Sequence, residues 1–134
     1  MAKKTIITAA LTGAVTPAGF DIPATPEDIA KEAYQAWKLG AAVVHLHMRD
    51  DEGLGTMDAE KFKKTIKLIR EYKDCDVIIN CTSSGDGRVS GGDPEGNAIR
   101  MKHHKTLDGI EMGSFDAGSF NWMPAGVFMN TPQF

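Results

Sequence analysis

Apolar residues follow two rhythms along the chain. Short aliphatic runs alternate with stretches in which apolar positions recur every three or four residues. Thr5-Ile6-Ile7-Thr8-Ala9-Ala10-Leu11-Thr12 is a β-branched run that stops at Gly13, which predicts a first strand. Thr25-Pro26-Glu27-Asp28 is a helix start: Thr25 can cap, Pro26 suits the first helical position, and the acids face the positive helix end. Ile29, Ala33, Ala36 and Trp37 then recur at helical spacing until Gly40 supplies a stop. Residues 41–47 form the second strand. Asp51-Glu52-Gly53-Leu54-Gly55 is a turn, and Asp58 opens a second helix whose apolar face is Phe62, Ile66, Ile69 and Tyr72. Residues 76–81 make a third strand, ending in Thr82-Ser83-Ser84-Gly85. Asp93-Pro94-Glu95 starts a third helix, weakened by Gly96 and Asn97, and residues 109–114 read as a fourth strand. Asn130-Thr131-Pro132-Gln133 has the form of one more helix start.

Buried strands alternating with helices mean parallel pairing and right-handed crossovers. An open doubly wound sheet and a piece of an eight-stranded barrel both fit that order. The polar residues separate them. Thr12-Gly13, His45/His47/Arg49, Thr82/Ser83 and Ser114/Asp116 lie at or just after the carboxyl ends of successive strands. Barrel enzymes gather their sites from many such ends, whereas an open sheet concentrates its ligand at one switch point. The expected fold class is therefore α/β, with parallel βα units forming about half of a TIM (β/α)8 barrel: one domain, residues 1–134, holding the first four strands. Since a full barrel needs about 250 residues, the expectation is a piece of a longer polypeptide or a half-barrel whose open edges find a partner.

Composition narrows the partners. At 42% hydrophobic and 25% charged residues the chain is an ordinary globular one, not a disordered one. Its net charge is −3 and its fifteen Lys and Arg are dispersed, so neither nucleic acid nor an anionic membrane is implied. No apolar run approaches the roughly 18 residues of a membrane span, and Met1-Ala2-Lys3-Lys4 leads into no cleavage-site pattern; a cytoplasmic protein is expected. Cys75 and Cys81 bracket Val77-Ile78-Ile79. In extended chain they stand about 20 Å apart, too far for a disulfide, and their spacing suits no zinc knuckle; both read as packing residues.

The candidate chemistry centres on Val43-Val44-His45-Leu46-His47-Met48-Arg49-Asp50. Residues two apart on a strand share a face, with Cα atoms about 6.6 Å apart, so His45 and His47 project side by side and can share one metal ion. The plain alternative has one His in the core and the other near the strand end. Catalytic zinc usually takes three protein ligands, and Asp50, Asp116 and Glu111 are the candidates here, unless the third comes from outside this chain. Imidazole and carboxylate also suit other divalent ions. Arg49 and Asp50 could pair to fix the loop, hold a substrate carboxylate, or orient His47. Thr82 and Ser83 are credible donors to a substrate carboxylate or carbonyl. Gly85-Asp86-Gly87-Arg88-Val89-Ser90-Gly91 fits a dinucleotide loop poorly, because its third glycine is one position too far and it follows the third strand. A mobile loop that covers substrate or holds a phosphate through backbone N–H groups, and a plain solvent loop, are the better readings. His103 and His104, near the end of the third helix, read as structural.

The segments Thr8-Ala9-Ala10-Leu11-Thr12-Gly13-Ala14, Thr25-Pro26-Glu27 and His45-Leu46-His47-Met48-Arg49-Asp50 resemble the beta-keto acid cleavage enzyme family. Gly118-Ser119-Phe120-Asn121 and Asn130-Thr131-Pro132 are similar to its fourth-strand region. The resemblance covers the whole chain and about the first half of the family's barrel. It implies a zinc-dependent transfer in which a 3-keto acid condenses with acetyl-CoA, then breaks by a retro-Claisen step into acetoacetate and a new acyl-CoA. On this resemblance His45 and His47 match the zinc ligands, and Thr82, Gly85, Ser114 and Asp116 fall on substrate-binding positions, Asp116 replacing what is often Asn. The implied keto acid is 3-keto-5-aminohexanoate, of lysine fermentation, and a homo-oligomer is expected. Two departures stand out. The carboxylate completing the zinc site and the Arg and Asp that assist chemistry belong to the family's second half, so this chain alone is expected to turn over little. Val15 stands where the aminohexanoate enzymes carry a Glu suited to an amine, which leaves the keto acid open. Two other readings remain: a stand-alone half-barrel whose role is association, and a metal-assisted aldolase-type barrel.

Overall fold

In the computed structural model, residues 3–16, 18–89, 91–122 and 126–134 are described. In chain order the elements are β1 (Thr8–Ala10), α1 (Pro26–Lys38), β2 (Val43–Leu46), β3 (Met48–Arg49), β4 (Gly55–Thr56), α2 (Ala59–Glu71), β5 (Ile78–Cys81), α3 (Pro94–Thr106), β6 (Met112–Gly113), β7 (Phe120–Trp122) and β8 (Gly126–Phe128).

β1, β2, β5 and β6 form one parallel sheet in chain order. No strand is inserted out of sequence, and α1 packs on α2 as α2 packs on α3. One row of neighbouring helices on one face is the winding of a barrel; a doubly wound sheet would reverse its order and clothe both faces. The fold is α/β, about half of a (β/α)8 barrel. Among the described residues, no helix is long and apolar enough to cross a membrane.

The helices begin where their caps place them. Thr25 Oγ1 accepts from Asp28 N at 3.1 Å, Asp58 Oδ1 from Glu60 N at 2.9 Å, and Asp93 Oδ1 from Gly96 N at 2.8 Å. Each bond satisfies an amide that the helix itself leaves open, a contribution of about 1 kcal/mol. Ile29 and Ala33 of α1, with Phe62, Ile66 and Ile69 of α2, meet Val44, Leu46, Ile79 and Cys81 of the strands in one buried cluster.

Several expected elements come out differently. The first strand is three residues long, not eight, because β2 begins only at Val43; Ile6 and Ile7 are left largely exposed. Two short hairpins went unforeseen. In one, β3 pairs antiparallel with β4 because the turn between them is closed by Asp50, whose carboxylate accepts from the amides of Glu52 and Leu54. In the other, β7 pairs with β8, setting Phe120 against Phe128. The fourth strand shrinks to Met112–Gly113. No helix starts at Asn130: its side chain is buried, donating to Asp116 O and accepting from Arg100 instead of capping.

α3 buries little apolar surface of its own and is anchored by polar residues. The His103 ring stacks on Phe62 with centroids 4.2 Å apart, and Nε2 lies 2.8 Å from Thr82 O. Burial, helped by neighbouring His104, pushes the His103 pKa down to about 4. The neutral ring is the form the fold favours, so this stabilisation is complete above about pH 6.5. It is lost as pH falls toward 4 and the unfolded chain takes up the proton first, an effect of about 3 kcal/mol. Urea denaturation at pH 7.0 and 4.5 should show a smaller acid loss for His103→Gln than for the unaltered chain; equal losses would show that His103 is not responsible.

Candidate functional site

The sheet register builds the site. Ala10, His45, Asn80 and Met112 lie across from one another on four neighbouring strands, so their side chains share a face. Val44 and Ile79, one residue along, turn the other way into the helix-covered core. The concave face therefore receives His45 and Asn80. Asn80 Oδ1 lies 2.8 Å from His45 Nδ1. An amide oxygen only accepts, so Nδ1 carries the hydrogen and Nε2 presents its lone pair.

β2 ends at Leu46, and His47 occupies the single residue between β2 and β3. Its ring nevertheless turns back toward His45, with Nε2 atoms 3.1 Å apart and ring planes at 76°. His47 is buried, and burial, followed by the nearby His45 and Arg49, pushes its pKa down to about 4. It is neutral at physiological pH. Two imidazole nitrogens bound tetrahedrally to one zinc at about 2.0–2.1 Å would stand about 3.3 Å apart. The observed gap fits that arrangement, and it equally fits one imidazole donating to the other.

The remaining candidates divide. Arg49 and Asp50 do not pair with each other. Arg49 is buried and donates to Gly13 O at 3.0 Å and Ala14 O at 3.4 Å, fixing the loop after β1. Asp50 accepts from the Leu54 and Glu52 amides and from Arg88 Nη2 at 2.9 Å, contacts that hold its pKa below the usual carboxylate range. These bonds occupy Asp50 away from the histidines. Glu111 is likewise engaged, with Arg70 at 2.6 Å and the Ile79 amide at 2.9 Å, before β6 begins. Among the described residues, no three His, Cys, Asp or Glu side chains gather closely enough to hold a metal ion. Cys81 is no substitute, since burial pushes its thiol up to about 12.

Thr82 and Ser83 are buried at the end of β5; Thr82 Oγ1 accepts from Ser84 N, and Ser83 Oγ donates to Ser114 O at 2.8 Å. Ser84 Oγ donates to Asp116 Oδ2 at 2.9 Å. Gly85 lies against His47: a Cβ there would come within 3.4 Å of His47 Nδ1 and 2.9 Å of Thr82 Cγ2. The loop beyond is pinned. Arg88 reaches Asp86 at 2.9 Å, Gly55 O at 3.0 Å and Asp50. Ser90 of that loop lies outside the described residues.

The family model for the beta-keto acid cleavage enzyme matches residues 4–134. The chain belongs to the beta-keto acid cleavage enzyme family. It is 41% identical to the 3-keto-5-aminohexanoate cleavage enzyme of Fusobacterium nucleatum subsp. nucleatum, an alignment covering 98% of this chain and 46% of that protein. It is 35% identical to the 3,5-dioxohexanoate:acetyl-CoA acetone transferase of Paraburkholderia graminis, over 88% of this chain and 38% of that one. The chain thus spans about half the length, or less, of these curated relatives. Among solved structures, the ternary complex of ObcA with C4-CoA adduct and oxalate superposes with a TM-score of 0.68 at 23% identity, over 84% of this chain and 27% of that one, which establishes the shared fold.

Within the beta-keto acid cleavage enzyme fold, the sequence signals for Asn80 and Arg88 were faint. Asn80 is one polar residue in an apolar strand, and only its register with His45 gives it a role. Arg88 reads as a loop charge until β3 and β4 bring Asp50 and Gly55 to it. The same packing makes Gly55 a sensitive position, because a Cβ there would collide with the backbone carbonyl of Gly85. Gly55→Ala should destabilise the chain by about 1–3 kcal/mol in urea denaturation, the range for forcing a methyl into packed structure. An unchanged midpoint would show that the loop after β5 yields freely.

Proposed function

We propose that this chain supplies the first strands of a metal-dependent β-keto acid cleavage site, in which His45 and His47 hold a zinc ion. The observation that carries this reading is the convergence of the two Nε2 atoms to 3.1 Å with the His45 tautomer set by Asn80. The relatives' names support the rest: cleavage of 3-keto-5-aminohexanoate in one, acetone transfer between 3,5-dioxohexanoate and acetyl-CoA in another. The reaction is the condensation of a 3-keto acid with acetyl-CoA, followed by carbon–carbon cleavage to acetoacetate and a new acyl-CoA, with 3-keto-5-aminohexanoate as the favoured keto acid.

When bound, zinc supplies a Lewis acid that polarises keto and carboxylate oxygens and steadies the negative charge that develops on cleavage. The chain's own groups set the surroundings. Asn80 keeps the His45 lone pair aimed outward, and the buried setting of His47 keeps that ring unprotonated. Arg49 holds the backbone of Gly13 and Ala14 beside the site, and Ser84 orients Asp116. Gly85 lets the loop approach His47 closely enough to shape the substrate's seat. Thr82, Ser83 and Ser114 brace that loop from behind; in this reading the general acid or base comes from outside the chain. With two donors in place and a third lacking among the described residues, the 134-residue chain on its own should bind zinc only weakly and turn over little.

Zinc titration followed by calorimetry tests the reading. His45→Ala and His47→Ala should each abolish binding while circular dichroism stays unchanged. Asn80→Ala should weaken it by about 10–100-fold, as loss of a partner that orients a metal-binding histidine does. Stoichiometric zinc retained by the doubly substituted chain would refute the assignment.

A further inference from the structure

α3 turns polar side chains inward, where a helix packed on a sheet ordinarily presents apolar ones. Arg100 and His103 are three residues apart and so share one face of it. Both are buried. They take successive carbonyls of the loop after β5: His103 Nε2 lies 2.8 Å from Thr82 O, and Arg100 Nε donates to Ser83 O at 2.6 Å. His103, which also stacks on Phe62, is enough to anchor the helix.

Arg100 reaches further. Its Nη1 donates at 2.7 Å to Oδ1 of Asn130, 30 residues along the chain. Asn130 Nδ2 in turn donates to Asp116 O at 2.7 Å, in the loop after β6. One guanidinium thus joins residues 82–85 to the segment that follows β8 and, through Asn130, to residues 114–116. Its surroundings are shaped to it. The ring centres of Phe134 and Phe128 lie 3.9 and 5.2 Å from the guanidinium carbon, and their electron-rich faces suit its charge. Gly91 passes so close that a Cβ there would collide with Arg100 Nη1 and with the carbonyl of Met129.

Burying a guanidinium carries a desolvation cost that an apolar side chain of like volume avoids. Anchoring α3 does not require it, because a leucine or methionine at position 100 would fill the space. Neither could hold two amide oxygens on separate segments. A lysine could reach one of them, but it lacks the planar fork that serves both.

We infer that Arg100 is a positioning residue for the β-keto acid site: through Ser83 and Asn130 it sets the loops after β5 and β6 against each other, and so fixes how closely Gly85 approaches His47. This rests on the reading of that site given above and deepens it, adding a residue that acts only through others.

Arg100→Met keeps the volume and removes the fork, whereas Asn130→Ala removes one of the fork's two partners. Hydrogen exchange read by mass spectrometry on the metal-free chain follows each segment separately. Arg100→Met should speed exchange about tenfold in residues 82–89 and 113–119, relative to residues 43–46 and 78–81 of the sheet. Asn130→Ala should speed residues 113–119 alone, since Ser83 O keeps its donor. The zinc affinity of Arg100→Met should fall about tenfold, the lower end of what losing a partner behind a metal ligand causes. Arg100→Lys keeps the charge without the fork and should behave like Arg100→Met, so it serves if the methionine variant does not fold. Equal acceleration of loops and sheet, loops that exchange as before, or a zinc affinity equal to that of the unaltered chain would reduce Arg100 to a helix anchor and overturn the inference. Zinc uptake by the unaltered chain decides the parent reading separately; if it takes up none, the exchange pattern alone decides the role of Arg100.

Discussion

Asn80 stands opposite His45 because β5 pairs with β2 in a register that also sets Ile79 against Val44. That register is the constraint on which the site depends. Side chains on a strand alternate faces, so a slip of one residue would send Asn80 into the helix-covered core and bring Ile79 out beside the histidine. The apolar core forbids it: Val44 and Ile79 are buried against Ile29, Phe62 and Ile69, and an asparagine among them would lack partners. Hydrophobic packing on one face thus fixes polar chemistry on the other.

The electrostatics of the concave side follow from the same packing. Two cationic side chains, Arg49 and Arg100, are buried without a carboxylate salt bridge among the described residues and are satisfied largely by carbonyl oxygens. Burial pulls both pKa values down. Arg49 lies two residues from His47 and adds to the pressure keeping that ring neutral. Asp50, which from its place in the sequence looked available to Arg49 or a metal, is committed to its own turn and to Arg88. The loop after β5 is therefore clamped to the β3–β4 hairpin, and it presents Gly85 to His47 in a fixed position.

What could be read from the sequence is what depends on near neighbours. Thr25, Asp58 and Asp93 mark their helices because a cap and the amide it serves lie two or three residues apart. The histidine pair was legible for the same reason: a period of two is written directly in His-x-His. Strand length was not, since residues 5–7 have strand character but β2 pairs only with Thr8–Ala10. The hairpins of two and three residues are too short to show a period. The partners that define the site, Asn80 for His45 and Arg88 for Asp50, lie 35 and 38 residues away and emerge only when the sheet is assembled. Asn130 imitated a helix cap, but buried Arg100 claims its oxygen.

Chain-order pairing of the sheet has a bearing on how the molecule comes into being. Each parallel strand joins the one that precedes it in the sheet, so no early segment must wait for a distant later one before it finds its place. Such a topology suits ordering from the N-terminus while synthesis proceeds, at about 5–20 residues per second. On that schedule the imidazole pair acquires its amide clamp as soon as β5 docks, ahead of the aromatic hairpin.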